Sequence, residues 1–355
     1  MSENLFLTLA ALATVACPDL EVEGLCPPTG DDEDFAWTGV LDHESSRWMV
    51  LASLSDTGKE SLEKQEKILA MLANYHDAHR ITFEVPRPVG RTNGHISRGD
   101  AGGIVPPEVI SLQAIVYRML PGNPLEFGDI GANSDMARSL GRAIAMLHEV
   151  PASIVPHSGL PSFTVAEIRD KLREKLSTAV STGLVPPTLQ ARWEQALDED
   201  AWWRFHPTFV HGSLEAQTVL VADSRVLGIS DFSEVCVDDP AKDLAWLLTE
   251  LSEQTVDSIF DAYHLGRAEG ADSFLRQRSE LYNELALVDW LNWGVSQENP
   301  AIIADAQELM EEQLERLDGD LSLTGKPLFD ADTDTIELDG AKDAPTTNSS
   351  ETETP

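Results

Sequence analysis

Phe209-Val210-His211-Gly212-Ser213-Leu214-Glu215-Ala216-Gln217-Thr218-Val219-Leu220-Val221, followed shortly by Gly228-Ile229-Ser230-Asp231-Phe232, is the stretch on which the fold turns. Two short apolar runs, Thr218 to Ala222 and Val226 to Ile229, are joined by the turn Asp223-Ser224-Arg225. That is the pattern of a β-hairpin. Its surroundings are helical in spacing: Asn133 to Val150, Thr164 to Thr182 and Thr188 to Leu197 before it, Asp243 to Gly266 and Asp272 to Trp293 after it. Thr164 with Glu167 fits a capping box, in which each side chain satisfies a free amide of the first turn. The centre of the chain therefore reads as a hairpin set among helices.

Towards the N-terminus the character changes. Glu60 to Tyr75 places Leu62, Ile68, Leu69 and Leu72 at helical spacing among charges, which predicts an amphipathic helix packed on a sheet. Phe35 to Leu54 reads as a hairpin interrupted by Asp42-His43-Glu44-Ser45-Ser46, with an acidic turn at Asp31 to Asp34 before it. Val85 to Gly90 and Ile110 to Leu120 are further strand candidates, separated by the Gly-rich, partly polar stretch Asn93 to Gly103. Residues 4–16 are expected to form a core helix. The apolar run from Leu5 to Cys17 follows Glu3 and no Lys or Arg, so it lacks the basic start of an export signal, and it is too short to span a bilayer.

These readings divide the chain into a small mixed part over residues 1–120, with four or five strands and one main helix, and a mainly helical part over residues 121–327. Residues 328–355 form an acidic tail. From 330 onward it carries eight acidic side chains and one Lys among Thr and Ser, too little apolar surface to offset the entropy of ordering, so disorder is expected.

Composition narrows the function classes. With 355 residues, 42% of them hydrophobic, the chain can bury a large core. Asp and Glu number 61 against 25 Lys and Arg, a formal charge of -36, and no local basic stripe offsets it, so neither nucleic acid nor a membrane is expected as partner. Cys17, Cys26 and Cys236 are odd in number and without ligand spacing, which argues against a disulfide framework or structural zinc and favours the cytoplasm.

The quoted stretch resembles the catalytic loop of the aminoglycoside phosphotransferase and choline kinase family, which reads H-G-D, four further residues, then Asn or His, then an apolar strand. Gly228 to Phe232 looks like that family's metal-binding I-D-F/W element, and Val237-Asp238-Asp239-Pro240-Ala241-Lys242-Asp243-Leu244-Ala245 like its G-D-P-x-x-D-L-A. Tyr117 to Pro124 resembles the hinge between lobes, Leu140 to Pro151 the L-G-x-x-x-x-x-L-H helix, and Trp193 to Gly212 the macrolide-phosphotransferase branch. The resemblance covers roughly residues 4–318 and implies an α+β, bilobal protein-kinase-like fold with a small β-rich N-lobe and a larger helical C-lobe. It also implies ATP and Mg2+ as ligands.

Residue by residue, it implies the following. Ser213 stands where the catalytic Asp accepts the substrate hydroxyl proton, and a serine hydroxyl is too weak a base near neutral pH. Thr218 takes the place of the Asn or His metal ligand, with a shorter and stiffer side chain. Asp231 matches the principal metal ligand, and one carboxylate suffices for a Mg2+ that also holds phosphates. The strand Arg47 to Ser53 places Leu51 where a cation should grip those phosphates, and residues 48–54 contain no basic side chain. Glu63, Gln65 or Glu66 could match the helix carboxylate that pairs with this cation; lacking the cation, a solvated helix charge is the expectation. Tyr117, Arg118 and Met119 match the hinge that contacts the nucleotide. His211 is expected to pack and hydrogen-bond within the loop, and Glu215 is a candidate substitute base with a solvent-directed side chain. Asp238, Asp239 and Asp243 match loop-ordering carboxylates, with Asp243 at a helix start. Trp290 and Trp293 are read as core, with an acceptor-lining role as the alternative.

Two functions follow. One is a degenerate, pseudokinase-like member of the family with weak or no ATP-dependent phosphotransfer, serving as a binding or regulatory module for a small molecule or another protein. The other is an active ATP- and Mg2+-dependent phosphotransferase acting on a hydroxyl of a small molecule.

Overall fold

The computed structural model describes residues 3–98, 108–268, 270 and 272–317. The acidic tail lies outside the described residues, as do residues 99–103 at the end of the Gly-rich stretch.

Helix α1 (Glu3–Ala16) precedes three antiparallel strands, β1 (Val22–Asp31), β2 (Phe35–Asp42) and β3 (Arg47–Ser53). Helix α2 (Asp56–Asp77) leads into β4 (Pro88–Arg98) and β5 (Glu108–Arg118), which complete a five-stranded antiparallel sheet of order β1-β2-β3-β5-β4. Ser55 starts α2 by accepting the Gly58 amide, the usual function of an N-capping hydroxyl. Strand alternation sends each strand's side chains to two faces. Val50 and Ala52 of β3, with Ala114 and Val116 of β5, pack against Leu5, Leu9 and Ala13 of α1. Leu51, Ile115 and Tyr117 face the other way, into the core shared with Leu62 and Leu69 of α2.

Beyond β5 the chain makes the two-residue strand β6 (Asn123–Pro124) and then helices α3 (Asp135–His148), α4 (Ile154–His157), α5 (Val165–Ser181) and α6 (Pro187–Asp198). Strands β7 (Thr208–Val210), β8 (Val219–Ala222), β9 (Arg225–Ile229) and β10 (Cys236–Asp238) come next, followed by a 3-10 helix over Pro240–Leu248 and by α7 (Glu253–Gly266), α8 (Leu275–Ser296) and α9 (Pro300–Leu317). The hairpin among helices is therefore β8–β9, and the Thr164–Glu167 capping box is formed at the start of α5.

Four expectations need correction. β1 and α9 had no strand or helix assigned to them. Val85 to Arg87 precede β4, whereas Asn93 to Arg98 belong to it and pair with β5 from Gln113 to Glu108. The continuous helix expected from Asp243 to Gly266 is broken, because Ser252 caps a new start by accepting the Thr255 amide.

Two ties join the sheet to the helical part. β6 pairs with β8, and Gly122, at φ +98°, lets the turn pass against the Val221 backbone. Ahead of β4, Glu84 donates its amide to Leu227 and accepts from Ile229, so the chain leading to the sheet edge is stitched to β9. The short hairpin is thus held from both sides.

Candidate active site

The loop between β7 and β8 carries the quoted motif, and β7 is itself paired with β10. Both ends of the loop are therefore fixed by backbone pairing, and its interior is ordered by one buried carboxylate. Asp243 accepts the amides of His211 at 2.6 Å and Gly212 at 2.8 Å, and lies 3.0 Å from His148 Nε2. It sits inside the 3-10 helix and serves the loop; the carboxylate that caps that helix is Asp239, which accepts the Ala241 amide. Gly212 adopts φ +88°, and a Cβ there would meet the Glu234 carbonyl at 2.2 Å. Only glycine fits.

Burial opposes ionisation of Asp243, but the donors from His148 and the loop outweigh it and hold its carboxyl below the usual carboxylate range. Burial likewise pushes His148 below the ordinary imidazole value, against the pull of Asp243. A neutral His148 satisfies both contacts by donating Nε2–H to Asp243 and accepting the Tyr263 hydroxyl at Nδ1, 2.8 Å away. This His148–Tyr263 extension had no place in the sequence reading, although His148 ends the apolar stripe of α3 with Leu140, Ile144 and Leu147.

His211 is fully buried, meets the Phe232 ring at a tilt of 58° and lies with Nε2 2.8 Å from the Ser230 carbonyl. It thereby ties the loop to the residue preceding Asp231. The Ser213 hydroxyl is 3.5 Å from His211 Nδ1, at the outer limit of a hydrogen bond. Thr218 is buried; its hydroxyl donates to the Glu215 carbonyl at 2.9 Å and accepts the Glu215 amide at 3.1 Å. Both capacities of that oxygen close a turn within the loop. The Glu215 side chain is exposed. Asp231 is exposed too, in left-handed backbone at φ 59°, and its Oδ1 accepts the Ser233 hydroxyl at 2.7 Å.

On the sheet side, Leu51 packs into the core beside α2. Tyr117 turns its ring to the same face, whereas Arg118 stacks on Trp48 with 5.0 Å from guanidinium to ring centre. The Met119 amide donates to Arg47. Glu63 and Gln65 share α2 with Glu66, and Glu66 is no solvated helix charge: it is buried and pairs with Arg91 of β4.

Asp239 forms a buried two-point ion pair with Arg278, at 2.7 and 3.1 Å. Asp238 accepts no amide of the loop among the described residues; its Oδ1 accepts the Asp239 amide. Trp290 and Trp293 stack at 5.0 Å; Trp290 packs partly buried and donates to Asp305 of α9, whereas Trp293 is 48% exposed, so the core reading fails for Trp293. Among the described residues no group of three His, Cys, Asp or Glu side chains is placed to hold a metal, and no helix is long and apolar enough to cross a membrane.

For Mg2+ the donor set offers one carboxylate, Asp231; the buried Thr218 hydroxyl is engaged with Glu215 through its proton and one of its two lone pairs. β3 carries no cation at Leu51, and its one basic residue, Arg47, donates to the Pro27 carbonyl.

Comparison with known proteins gives a consistent picture. A family model described as the phosphotransferase enzyme family matches residues 55–282. Macrolide 2'-phosphotransferase MphH from Brachybacterium faecium, solved as apoenzyme, superposes with a TM-score of 0.65 at 24% identity, over 84% of this chain and 95% of that one. An APH(2'')-type enzyme solved with GDP and kanamycin superposes with a TM-score of 0.67 at 19% identity, over 87% of this chain and 99% of that one. Among curated proteins, the uncharacterised YcbJ of Bacillus subtilis (strain 168) is 26% identical over 164 residues, 42% of this chain; the matched region spans about half of that relative, 54% of its length.

Proposed function

Because the chain belongs to the phosphotransferase enzyme family and has its kinase-like α+β fold, we propose that it is a degenerate member: a binding or regulatory module with weak or no ATP-dependent phosphotransfer. One observation carries the reading. Where the resemblance puts a metal ligand, the only polar side-chain atom, Thr218 Oγ1, is committed in both directions to Glu215. Ser213 adds the loss of the base, worth on the order of 10²–10⁴ in rate.

What remains is the supporting frame. Asp243, His148 and the positive φ of Gly212 shape a loop that could present a side chain to a ligand, and Ser213 presents a hydroxyl. That arrangement can bind and orient, but Ser213 itself is too weak a base to take a proton from an acceptor hydroxyl. The family's solved members include complexes with GDP and kanamycin, so a small molecule with hydroxyl groups is the ligand class to test first.

The experiment is thermal unfolding of the full chain with Mg2+ and ATP or GTP, together with transfer from γ-labelled nucleotide to a panel of hydroxylated small molecules. A ligand present at about 100 times its Kd adds about 2.7 kcal/mol, which a melting curve resolves. We expect no shift at millimolar nucleotide and no labelled product. Turnover near 1 s⁻¹, about the lower end for kinases, would refute the reading.

The exposed Asp231 carboxylate favours the alternative of an active enzyme that lacks only its base. Ser213→Asp tests how far the loss extends: recovery of transfer would show that only the base had been lost. No recovery is expected, since Thr218 and Leu51 are unchanged.

A further inference from the structure

Arg91 of β4 lies in register with Ile115 of β5, and Ile115 with Leu51 of β3, all on the face that α2 covers. Its Nη2 is 2.6 Å from Glu66 Oε1. The Glu66 side chain is 5% exposed, whereas Arg91 is 59% exposed, so the carboxylate is enclosed and the guanidinium reaches it from the sheet edge. Glu66 stands between Leu62 and Leu69 on the buried stripe of α2, where it cannot avoid the sheet. Burial pushes its carboxyl up, and the charge of Arg91 pulls it back. On the same face of the sheet the Tyr117 hydroxyl is, like Glu66 Oε1, buried with no hydrogen-bond partner among the described residues, and burial and then the Glu66 charge push its phenol up.

Protein kinases place a lysine on the third strand that pairs with the helix carboxylate and also contacts nucleotide phosphates. Helix position and nucleotide binding then share one cation. Here the cation comes from a strand two places away, about 10 Å across the sheet at the usual strand spacing, and β3 offers none at Leu51.

We propose that Glu66 and Arg91, with the Tyr117 hydroxyl on the same face, are a relocated ion pair that holds α2 against the sheet independently of any nucleotide. Arg91 and Glu66 are positioning residues in this account, acting on the helix and not on a ligand. The inference rests on the kinase-like fold and not on the reading of the catalytic loop.

Hydrogen exchange of the α2 amides in the full chain tests it. Arg91→Met should speed exchange in α2 about fivefold, a coupling within the range of contacting pairs, and leave α8 unchanged. The same substitution in a Glu66→Gln background should have no effect, Arg91→Lys should restore slow exchange, and millimolar Mg2+ and ATP should leave wild-type α2 exchange as it is.

Equal effects of Arg91→Met in both backgrounds would overturn the pair. Nucleotide-dependent slowing in the wild type would overturn its independence. If Glu66→Gln does not fold, the comparison of Arg91→Met with Arg91→Lys still decides, since the Arg91 side chain is mostly exposed and its removal opens no core cavity. Phosphotransfer by the wild type would sink the proposed function and leave this inference standing; unchanged α2 exchange in Arg91→Met does the reverse.

Discussion

At the scale of the residue, the tightest set of constraints is His148–Asp243 and the two loop amides it serves. It also sets a pH dependence. The folded pKa of His148 lies below its unfolded value of about 6.5. Below that value the unfolded chain binds more protons than the folded one, so acidification favours unfolding. The contribution is fully present above about pH 6.5 and is lost as pH falls through the folded pKa. Asp243, also depressed, keeps its contribution until pH drops below the ordinary carboxylate range near 3.9. Between pH 7 and 5 the wild type should therefore lose more stability in urea titrations than His148→Asn, which keeps a donor for Asp243 but cannot titrate. Parallel slopes would show that His148 is not held neutral. The sequence made the positions Ser213, Thr218 and Asp231 readable because they lie in one short motif. Glu66–Arg91 and His148–Tyr263 were hidden because each joins segments far apart in the chain, and a glutamate on a helix has the same spacing whether it meets water or an arginine.

At the scale of the element, legibility followed periodicity. Helix α3 was readable because Leu140, Ile144 and Leu147 recur on one face; β2 and β3 because apolar clusters flank a polar turn. β1 was not: it is an edge strand with Pro27-Pro28 at an irregular register between Cys26 and Thr29, which an edge tolerates because no neighbour needs those amides. α9 buries only Ala306 and Met310, so its apolar stripe is faint. The contact of α3 with α7 depends on a residue whose role appears only in three dimensions. Gly141 brings the helix backbones together so closely that a Cβ would lie 2.3 Å from the Ile259 carbonyl and 2.9 Å from the Ala262 Cβ. Backbone cannot swing aside as a long side chain can. Gly141→Val should thus cost about 3 kcal/mol, the upper range for overpacking, and shift the urea midpoint accordingly. Gly183→Ala, at a site with nothing within 4 Å but φ +73°, separates backbone strain from packing and should cost about 1 kcal/mol. Equal losses would remove the packing argument.

At the scale of the whole molecule, a formal charge of -36 works against compaction. Several of the arginines are already committed: Arg278 to Asp239 and Asp272, Arg192 to Glu284, Arg276 to Asp257 and Glu280, Arg87 to Asp77. With 61 acidic side chains and 25 Lys and Arg, most carboxylates have no Lys or Arg of their own to pair with. Salt acts in two directions here. It weakens exposed ion pairs, each worth about 0–1 kcal/mol, and it screens the summed repulsion, as the Debye length falls from about 10 Å at 0.1 M to about 3 Å at 1 M. The repulsion involves many more pairs than the attractions and acts over longer distances, so its loss should prevail. The melting temperature at pH 7 should rise by several degrees, about 2–4 °C for each kcal/mol in a chain approaching this size, when sodium chloride goes from about 0.02 to 0.5 M. Choline chloride should match it, because screening does not depend on the cation. A rise with sodium alone would point to a bound ion, and a fall with either salt would mean that surface pairs outweigh the net charge.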